Sequence, residues 1–257
     1  MLKRILFFAY GTFCYLIFLG TFLYAVGFIG NFGVPSTLDG VPRGSLAAAF
    51  AIDAGLLALF AAQHSIMARK WFKQRWTQIV PQPIERSTYV LFSSLALILL
   101  FWQWRPMGGT VWSVEDPVAR VVLRALFAFG FGLVLVSTFL INHFDLFGLR
   151  QVWLNLLGRP YTNLRFGTPG PYRMVRHPLY VGWFFAFWMT PTMTLAHLLF
   201  SIATTAYILL AIQWEERDLA DDLGGAYEEY RRSVPMLVPF TRRRAADAGG
   251  RVVEANK

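Results

Sequence analysis

Residues 179–214 read LYVGWFFAFWMTPTMTLAHLLFSIATTAYILLAIQW, and this last apolar stretch of the chain decides the fold. It is 36 residues long. One straight helix of that length would measure about 54 Å, well beyond a hydrocarbon core of about 30 Å. Pro191 lies near its middle and breaks or kinks a helix there, because proline lacks the N–H donor. The stretch therefore predicts a helical hairpin that enters the membrane and returns.

Four earlier apolar runs are each near the ~20 residues that cross a bilayer. They cover residues 5–30, 46–67, 87–104 and 118–141. The first run is too long for the apolar core of a signal peptide, and no small-residue cleavage site closes it. We therefore expect an all-α polytopic membrane protein, with four transmembrane helices and a proline-broken C-terminal hairpin. The runs at 5–30 and 87–104 read as almost free of polar residues, which argues against a channel.

The composition agrees with a chain embedded in a lipid bilayer. Hydrophobic residues make up 56% of the sequence and charged residues only 15%, against about 25% in a typical soluble protein. Such hydrophobicity excludes intrinsic disorder, and the single cysteine, Cys14, excludes a disulfide scaffold. The net charge of +9 comes without any nucleic-acid-binding motif, so no nucleic-acid partner is expected. The sequence does not indicate an oligomeric state.

Basic residues between the apolar runs predict the orientation. Positive loops stay on the cytoplasmic side of a membrane. This rule predicts cytoplasmic N- and C-termini, and the alternative of five full crossings with an external C-terminus would break it. We expect a bacterial inner membrane protein with helices in residues 1–145, a functional region in 146–240 and a flexible tail in 241–257. The basic residues of the two inner loops are Arg69, Lys70, Lys73, Arg75, Arg86, Arg150, Arg159, Arg165, Arg173 and Arg176.

Two polar segments flank the hairpin, and each has two interpretations. The loop 167–180, GTPGPYRMVRHPLY, places Pro178 at a plausible first helical position. The free N–H groups of that turn either bind an anionic group or belong to a loop that Tyr and Arg anchor at the interface. Glu215 and Glu216 follow at the end of the stretch, either where the helix emerges into water or as a binding site for a cation or a hydroxyl pair. A hairpin would place residue 215 beside residues 177–180.

Two histidines near the cytoplasmic ends of helices are further candidates. His143 and Asp145 lie in the segment 141–151, INHFDLFGLRQ, whose spacing is weak for a metal pair, so no metal is assigned. The alternative there is an interfacial, hydrogen-bonded turn. His64 lies in Gln63-His64-Ser65 and is either a hydrogen-bonded core residue or a neighbour of His143 across the bundle. No GxGxxG, P-loop, GxSxG or CxxC motif is present.

The order of several motifs resembles the isoprenylcysteine carboxyl methyltransferase superfamily over residues 160–240. The motifs are RHPLYVG at 176–182, the broken hairpin, Glu215-Glu216, GxxYxxY at 224–230 and Val234-Pro235. Those enzymes are helical membrane proteins that bind S-adenosylmethionine in a cytoplasm-facing pocket. The resemblance implies that the pocket comprises Tyr172, His177, Pro178, Leu179, Tyr180 and Glu215, with a further wall at Leu164, Arg165, Phe166 and Gly167.

The rest of the chain looks like the methanethiol S-methyltransferases, and NnrU-like membrane proteins share parts of the pattern. The segments that carry this likeness are QHSIMAR at 63–69, ERS at 85–87, NHFDLFGLRQ at 142–151 and WMTPTMT at 188–194 followed by His197. Prenylcysteine enzymes have an arginine for the substrate carboxylate where this chain has Ala211, which makes a carboxylate substrate doubtful.

The resemblance implies methyl transfer from S-adenosylmethionine to a small volatile thiol, methanethiol, which gives dimethyl sulfide. The reactive species is the thiolate, so a base or a cationic pocket should assist. The candidates are His64, His143 oriented by Asp145, and Arg176. The alternatives are methylation of another thiol, an amine or a prenyl-like substrate, a non-enzymatic accessory protein of the NnrU type, and a transporter.

Overall fold

The structure is a computed structural model that describes residues 1–42, 44–164, 166–239 and 241. Helices dominate it, and two short strands pair as a small antiparallel sheet. The elements in chain order are α1 (Leu2–Gly30), α2 (Leu46–Ala68), α3 (Lys70–Trp76), α4 (Gln82–Gln103), β1 (Thr110–Ser113), α5 (Pro117–Leu140), α6 (His143–Leu146), α7 (Leu149–Leu156), a 3₁₀ helix (Gly170–Arg173), α8 (Pro178–Trp188), β2 (Thr192–Thr194), α9 (Leu195–Leu223) and α10 (Gly225–Ser233).

Five of these helices are long and apolar enough to cross a membrane: α1, α2, α4, α5 and α9. The first four coincide with the four predicted runs, and α9 is the returning arm of the hairpin. Large apolar side chains such as Phe13, Leu16 and Leu23 point away from the bundle and are more than half exposed. Such surfaces are stable only against lipid, so the prediction of an all-α polytopic membrane protein is confirmed.

Hydrogen-bonding side chains mark where three spanning helices begin. Ser45, Asp116 and Thr194 each accept a bond from the backbone N–H three residues later, at 3.3, 2.7 and 3.2 Å. A cap of this kind stabilises a helix by about 1 kcal/mol. α4 begins at Gln82, five residues before the predicted run. Its first turn, which follows Pro81, is polar and so was not counted in an apolar run.

The hairpin is present, with arms of unequal length. α8 has 11 residues and α9 has 29. The Trp188 indole donates to the Thr205 hydroxyl at 2.9 Å near the tip, and the Tyr180 hydroxyl donates to Glu215 at 2.9 Å at the opposite end. The arms are therefore antiparallel, and residue 215 lies beside residues 177–180 as predicted. At 1.5 Å per residue α8 is only about 16 Å long, so the extended segment after it completes the crossing.

The small sheet holds the hairpin tip against the connection between α4 and α5. β1 lies in the connection between α4 and α5, and it pairs with β2 at the hairpin tip, with Thr110 opposite Thr194 and Ser113 opposite Thr192. The Trp112 indole also donates to the carbonyl of Thr190 at 3.2 Å. The tip therefore lies at the same end of the bundle as the α4–α5 connection. The strands are four and three residues long, too short to show an alternating pattern, so the sequence does not predict them.

A buried histidine holds the tip to the connection between α1 and α2. His197 is fully buried, with Nδ1 3.0 Å from an oxygen of Asp39 and Nε2 3.0 Å from the carbonyl of Phe187. The Asp39 carboxylate also accepts bonds from Thr194 and from the amide of Asn31. Because a carbonyl oxygen can only accept, Nε2 of His197 is protonated. This group joins the α1–α2 connection to the hairpin tip at one end of the bundle.

Two glycines allow α8 to pack directly on the backbone of α5. A Cβ atom on Gly130 would lie 2.7 Å from the carbonyl oxygen of Gly182 and 2.7 Å from the N atom of Ala186. A Cβ atom on Gly182 would lie 2.7 Å from the carbonyl oxygen of Gly130. Backbone atoms cannot turn aside as side chains do, so only glycine fits at these two positions. The position of α8, and of the loop that enters it, depends on this contact.

The division of the chain at residue 145 stays a prediction. Residues 242–257 of the predicted tail lie outside the described residues, as do Arg43, Arg165 and Phe240.

Gly130→Ala should lower the thermal unfolding temperature of the detergent-solubilised protein. Overpacking of this kind costs about 1–3 kcal/mol, which exceeds the fraction of a kcal/mol that alanine gains in a helix. Gly132 lies on the same helix with no atom within 4 Å of its Cβ position, so Gly132→Ala is the matched control. Equal unfolding temperatures for the two variants would contradict the close α5–α8 contact.

Candidate active site at the base of the hairpin

A buried carboxylate organises the base of the hairpin, which we define as residues 172–180 together with 215 and 216. Glu216 accepts from Nε and Nη2 of Arg176, both at 2.7 Å, and from Nε2 of His177 at 3.0 Å. The second Nη of Arg176 donates to the carbonyls of Val234 at 2.6 Å and Arg231 at 3.1 Å. The cationic group is thus fully engaged by the chain itself, and its role in the structure is to hold the fold.

The segment after α10 lies alongside the loop that enters α8. The backbone N–H groups of Arg176 and His177 donate to the carbonyls of Pro235 at 2.9 Å and Met236 at 3.2 Å. The Tyr230 hydroxyl donates to the carbonyl of Tyr172 at 2.6 Å. The separate motifs of the sequence, RHPLY, GxxYxxY and Val-Pro, therefore meet in one place.

Glu215, next to Glu216 on α9, has a different environment. One oxygen accepts from the Tyr180 hydroxyl at 2.9 Å, and Nδ1 of His177 lies 3.9 Å away. Burial and the Glu215 carboxylate raise the pKa of Tyr172 above its usual range. The side chain of Glu215 is 46% exposed, whereas that of Glu216 is 7% exposed. Glu215 is thus an oriented carboxylate that remains open to a ligand.

The position of this acidic pair on its helix differs from the expectation. We expected the helix to end at Glu215-Glu216, but α9 continues to Leu223. Ion pairs of Arg69 with Asp218 and of Lys70 with Asp222 hold this extension against the start of α3. The acidic pair therefore lies two turns inside the helix, where its backbone is fixed.

Three aromatic rings form the side of the site nearest the C-terminal helix. The ring of Phe166 lies 5.6 Å from that of Tyr230 and 6.2 Å from that of Tyr227. Tyr227 is 1% exposed, and its hydroxyl has no hydrogen-bond partner within the part of the chain that the structure describes. Burial raises the pKa of both tyrosines to about 12, so they remain protonated donors. Leu164 and Gly167 are exposed beside Phe166, while Arg165 lies outside the described residues.

Pro178 and Leu179, the last two residues of the pocket that the resemblance implies, begin α8. Pro178 is its first residue and is fully buried, and Leu179 is half-buried. Proline fits here because a first-turn N–H has no partner within the helix.

A second polar cluster lies between α2, α4 and α9. His64 Nδ1 is 3.2 Å from the Ser93 hydroxyl, and the Tyr89 hydroxyl lies 3.0 Å from both ring nitrogens of His64. The Ser65 hydroxyl is 3.0 Å from that of Tyr207. His64 was a candidate from the sequence, and it is a hydrogen-bonded residue, but its partners Tyr89 and Ser93 were not predicted because the run at 87–104 read as nearly free of polar residues. The spacing of Tyr89 and Ser93, four residues apart on one helical face, is the signal that could have revealed them.

The structure does not join His143 to Asp145. His143 is buried, with Nε2 2.9 Å from the Tyr15 hydroxyl and Nδ1 2.8 Å from the Thr138 hydroxyl. Burial lowers the pKa of His143. Asp145 instead forms an ion pair with Arg150 at 2.9 Å. The expectation that Asp145 orients His143 is therefore wrong, since both ring nitrogens face hydroxyl groups.

His143 and His64 have different partners, and Phe147 and Tyr89 lie between them. Phe147 packs edge-on against His143, with ring centroids 4.8 Å apart. Phe147 packs in turn against the cluster of Met67, Tyr89 and Val90, and Tyr89 is the residue that contacts His64.

Residues 54–225 match the family model described as NnrU protein. The chain belongs to the NnrU family. The match extends from α2 into α10 and so includes both polar clusters. Among its relatives, the chain is 60% identical to a protein of Crocosphaera subtropica named methanethiol S-methyltransferase, over 93% of this chain and 94% of that protein. It is 52% identical to a protein of the same name from Mycobacterium tuberculosis, over 94% and 99%.

More distant relatives include Nurim of Homo sapiens, 31% identical over 68% of this chain and 70% of that protein. No solved structure matches the chain.

The two neighbouring carboxylates should respond differently to amidation. Glu216→Gln leaves the buried Arg176 without its counter-ion, and breaking a buried pair costs about 3–5 kcal/mol. We expect a clear loss of thermal stability in detergent, measured by the unfolding temperature. Glu215→Gln is the matched control on the adjacent residue, and its open environment predicts little change. Equal stability of the two variants would rule out the structural role of Glu216.

Proposed function

We propose that this protein is an S-adenosylmethionine-dependent methyltransferase that converts methanethiol to dimethyl sulfide. The relatives that are 52% and 60% identical over more than nine-tenths of the chain carry the name of that activity. The observation that carries the proposal is the pair of carboxylates on α9. Glu216 is buried and paired with Arg176 and His177. Glu215 accepts a hydrogen bond from Tyr180 and stays half-exposed beside His177.

The residues present fit the methyl donor. S-adenosylmethionine carries an ammonium group, a sulfonium, a ribose diol and an aromatic base. Glu215 supplies acceptors for the ammonium or the diol, and charge-assisted bonds of this kind are strong. The rings of Phe166, Tyr227 and Tyr230 supply a surface for the base, and the unpartnered Tyr227 hydroxyl supplies a polar contact. In this proposal Tyr172, His177, Pro178, Leu179 and Tyr180 form the floor, and Leu164, Phe166 and Gly167 form the outer wall.

The chain contributes mainly binding and alignment to the reaction. The bound donor supplies an activated methyl group. Good alignment of two reactants can account for about 7–11 kcal/mol of the barrier, and this needs a rigid site. The Glu216 network provides that rigidity, because it fixes Arg176 and His177 from the helix that also carries Glu215. Arg176 then acts through position, since all three of its guanidinium nitrogens already donate within the protein.

The membrane location fits the substrate. Methanethiol and dimethyl sulfide are small and apolar, so both can pass through a bilayer. Ala211 lies on α9 one turn before Glu215, and it offers no charge to a carboxylate substrate. This favours a neutral thiol over a prenylcysteine-like acid.

The proposal is tested by donor binding and product formation in one preparation. The detergent-purified protein should bind labelled S-adenosylmethionine and release dimethyl sulfide into the headspace when methanethiol is added. Glu215→Gln should weaken donor binding by about 10–100-fold, the value of a lost charged hydrogen bond. Glu229→Gln, an exposed acid on α10, is the control and should bind as the original protein does.

Other outcomes would redirect the proposal. Binding without dimethyl sulfide would indicate a methyltransferase for another substrate. A well-folded protein that does not bind the donor would favour an accessory or transport role and refute the proposal.

We further propose a bacterial inner membrane location with both termini and the site in the cytoplasm. In a Cys14→Ser background, a cysteine at Glu115, in the α4–α5 connection, should react with an impermeant maleimide in intact spheroplasts. A cysteine at Lys257 should react only after permeabilisation. The reverse labelling pattern would show that the topology is the opposite of the one proposed. The buried Cys14 should itself remain unlabelled, which makes the unmodified protein a blank.

A further inference from the structure

Asp145 and Arg150 form an ion pair that also binds the segment leading to the candidate site. Nη1 of Arg150 lies 2.9 Å from Oδ1 of Asp145, and the same nitrogen donates to the carbonyl of Thr162 at 2.9 Å. Nη2 of Arg150 donates to the Thr162 hydroxyl oxygen, also at 2.9 Å. The planar guanidinium group therefore holds Thr162 at two points, which the single nitrogen of a lysine could not reproduce.

The residue before Thr162 is bound to the same ion pair. The Tyr161 hydroxyl donates to Oδ2 of Asp145 at 3.2 Å. The guanidinium group of Arg150 lies over the Tyr161 ring, 5.2 Å from its centroid. Each carboxylate oxygen of Asp145 thus has its own partner, and two successive residues of one segment are held by the two charged side chains.

Residues 160–168, which we call the wall segment, have few other contacts that fix their conformation. The segment belongs to no helix or strand, and its described residues form no backbone–backbone hydrogen bond with one another or with the rest of the described chain. Most of these residues are exposed. A segment of this kind is ordered mainly by its side-chain contacts, so the bonds to Asp145 and Arg150 determine where it lies.

The other end of the wall segment forms part of the candidate site. Phe166 packs against Tyr227 and Tyr230, with ring centroids 6.2 and 5.6 Å away. The Tyr230 hydroxyl in turn donates to the carbonyl of Tyr172 at 2.6 Å. Phe166 is four residues after Thr162, and four residues of extended chain span at most about 14 Å. The bonds that hold Thr162 therefore limit where Phe166 can lie.

The ion pair is itself fixed to the transmembrane bundle. Val152, two residues after Arg150, is fully buried, and a Cβ atom on Gly11 of α1 would lie 2.6 Å from its side chain. On the other side of the pair, Nε of Arg86 on α4 donates to the carbonyl of Leu146 at 2.8 Å. These contacts attach an exposed segment to a rigid part of the protein.

We propose that Asp145 and Arg150 are positioning residues that hold the wall segment at the donor site and thereby set the affinity for S-adenosylmethionine. This inference rests on the proposed function. The two residues act through Thr162 and Phe166 and touch no reacting atom. Leu164 and Phe166 expose 41% and 43% of their surfaces, which the aromatic base of the donor can cover. Because the segment is ordered before the donor arrives, binding does not bear the entropy cost of ordering it.

The experiment measures donor affinity and turnover separately, with the full chain in detergent. Arg150→Ala removes the group that holds Thr162. Arg232→Ala is the matched control, because it breaks another exposed pair of an arginine with a carboxylate, that of Arg232 with Glu228 on α10. The measured quantities are the Kd for S-adenosylhomocysteine, the KM for S-adenosylmethionine, the KM for methanethiol, and kcat at saturating donor.

For Arg150→Ala we expect the Kd and the donor KM to rise by about 10-fold or more, because the donor must then order the segment, and fixing the backbone of even one residue has a cost of that size. The KM for methanethiol and kcat at saturating donor should not change, since the segment is ordered once the donor is bound. A fall in kcat with unchanged donor affinity would overturn the proposal, as would an equal loss of affinity in Arg232→Ala.

Thr162 distinguishes positioning from a purely structural role, and it also serves if Arg150→Ala does not fold. Thr162→Ala removes only the hydroxyl that Arg150 binds, from an exposed residue, so the unfolding temperature should not change. We expect donor affinity to fall by about 3–10-fold, the usual value of one hydrogen bond. Thr162→Ser keeps the hydroxyl and should restore the affinity. Equal donor affinities of Thr162→Ala and the original protein would contradict the role of the segment.

Limited proteolysis reports on the wall segment directly. Chymotrypsin cleaves after exposed aromatic residues, and S-adenosylhomocysteine should slow its cleavage after Phe166 in the original protein. Arg150→Ala without this ligand should be cleaved there faster than the original protein. A cleavage rate that the ligand and the substitution both leave unchanged would refute the inference. Failure of the proposed function is distinct, because the unmodified protein would then neither bind the donor nor form dimethyl sulfide.

Discussion

The buried Glu216 carboxylate is the interaction on which the rest of the site depends. An ionised group inside protein is tolerated only when it is paired, and Glu216 is paired with Arg176 and His177. Those two residues are the last before α8, while Glu216 belongs to α9. One ion-pair network thus joins both arms of the hairpin and the C-terminal segment. The network also fixes the backbone of the neighbouring Glu215, whose carboxylate takes no part in the Arg176 pair and stays open to a ligand.

Much of this architecture follows from the sequence. Apolar length predicted the four helices within a few residues, and Pro191 with the basic loops predicted the hairpin and the meeting of residue 215 with residues 177–180. Both follow from bilayer thickness and charge, which act on a whole segment. The small sheet and the full length of α9 did not follow, because they depend on contacts between distant parts of the chain.

The site shows the same limit at finer scale. Motif order pointed to His177, Tyr180 and Glu215, which the structure brings together. It named Glu215 for the pocket but gave no role to Glu216, because the partners of Glu216, Arg176 and His177, come from another element. His143 and Asp145 looked like a pair from proximity in sequence, yet their partners come from other elements. Hydrogen-bond partners of buried polar groups are set by tertiary packing, which no local pattern encodes.

The unequal arms of the hairpin have a consequence for how the protein is assembled. α8 has 11 residues and cannot span a bilayer as an independent segment, whereas α9 can. The short arm α8 must therefore enter the membrane together with α9, after α5 is in place, because α8 packs on the backbone of α5 at Gly130. β2 at the hairpin tip can pair with β1 only when both strands lie on the same side of the membrane. Formation of the Glu216 network is consequently the last event of membrane insertion, so a ribosome that stalls before α9 leaves an inserted bundle in which Arg176 and His177 lack their carboxylate partner.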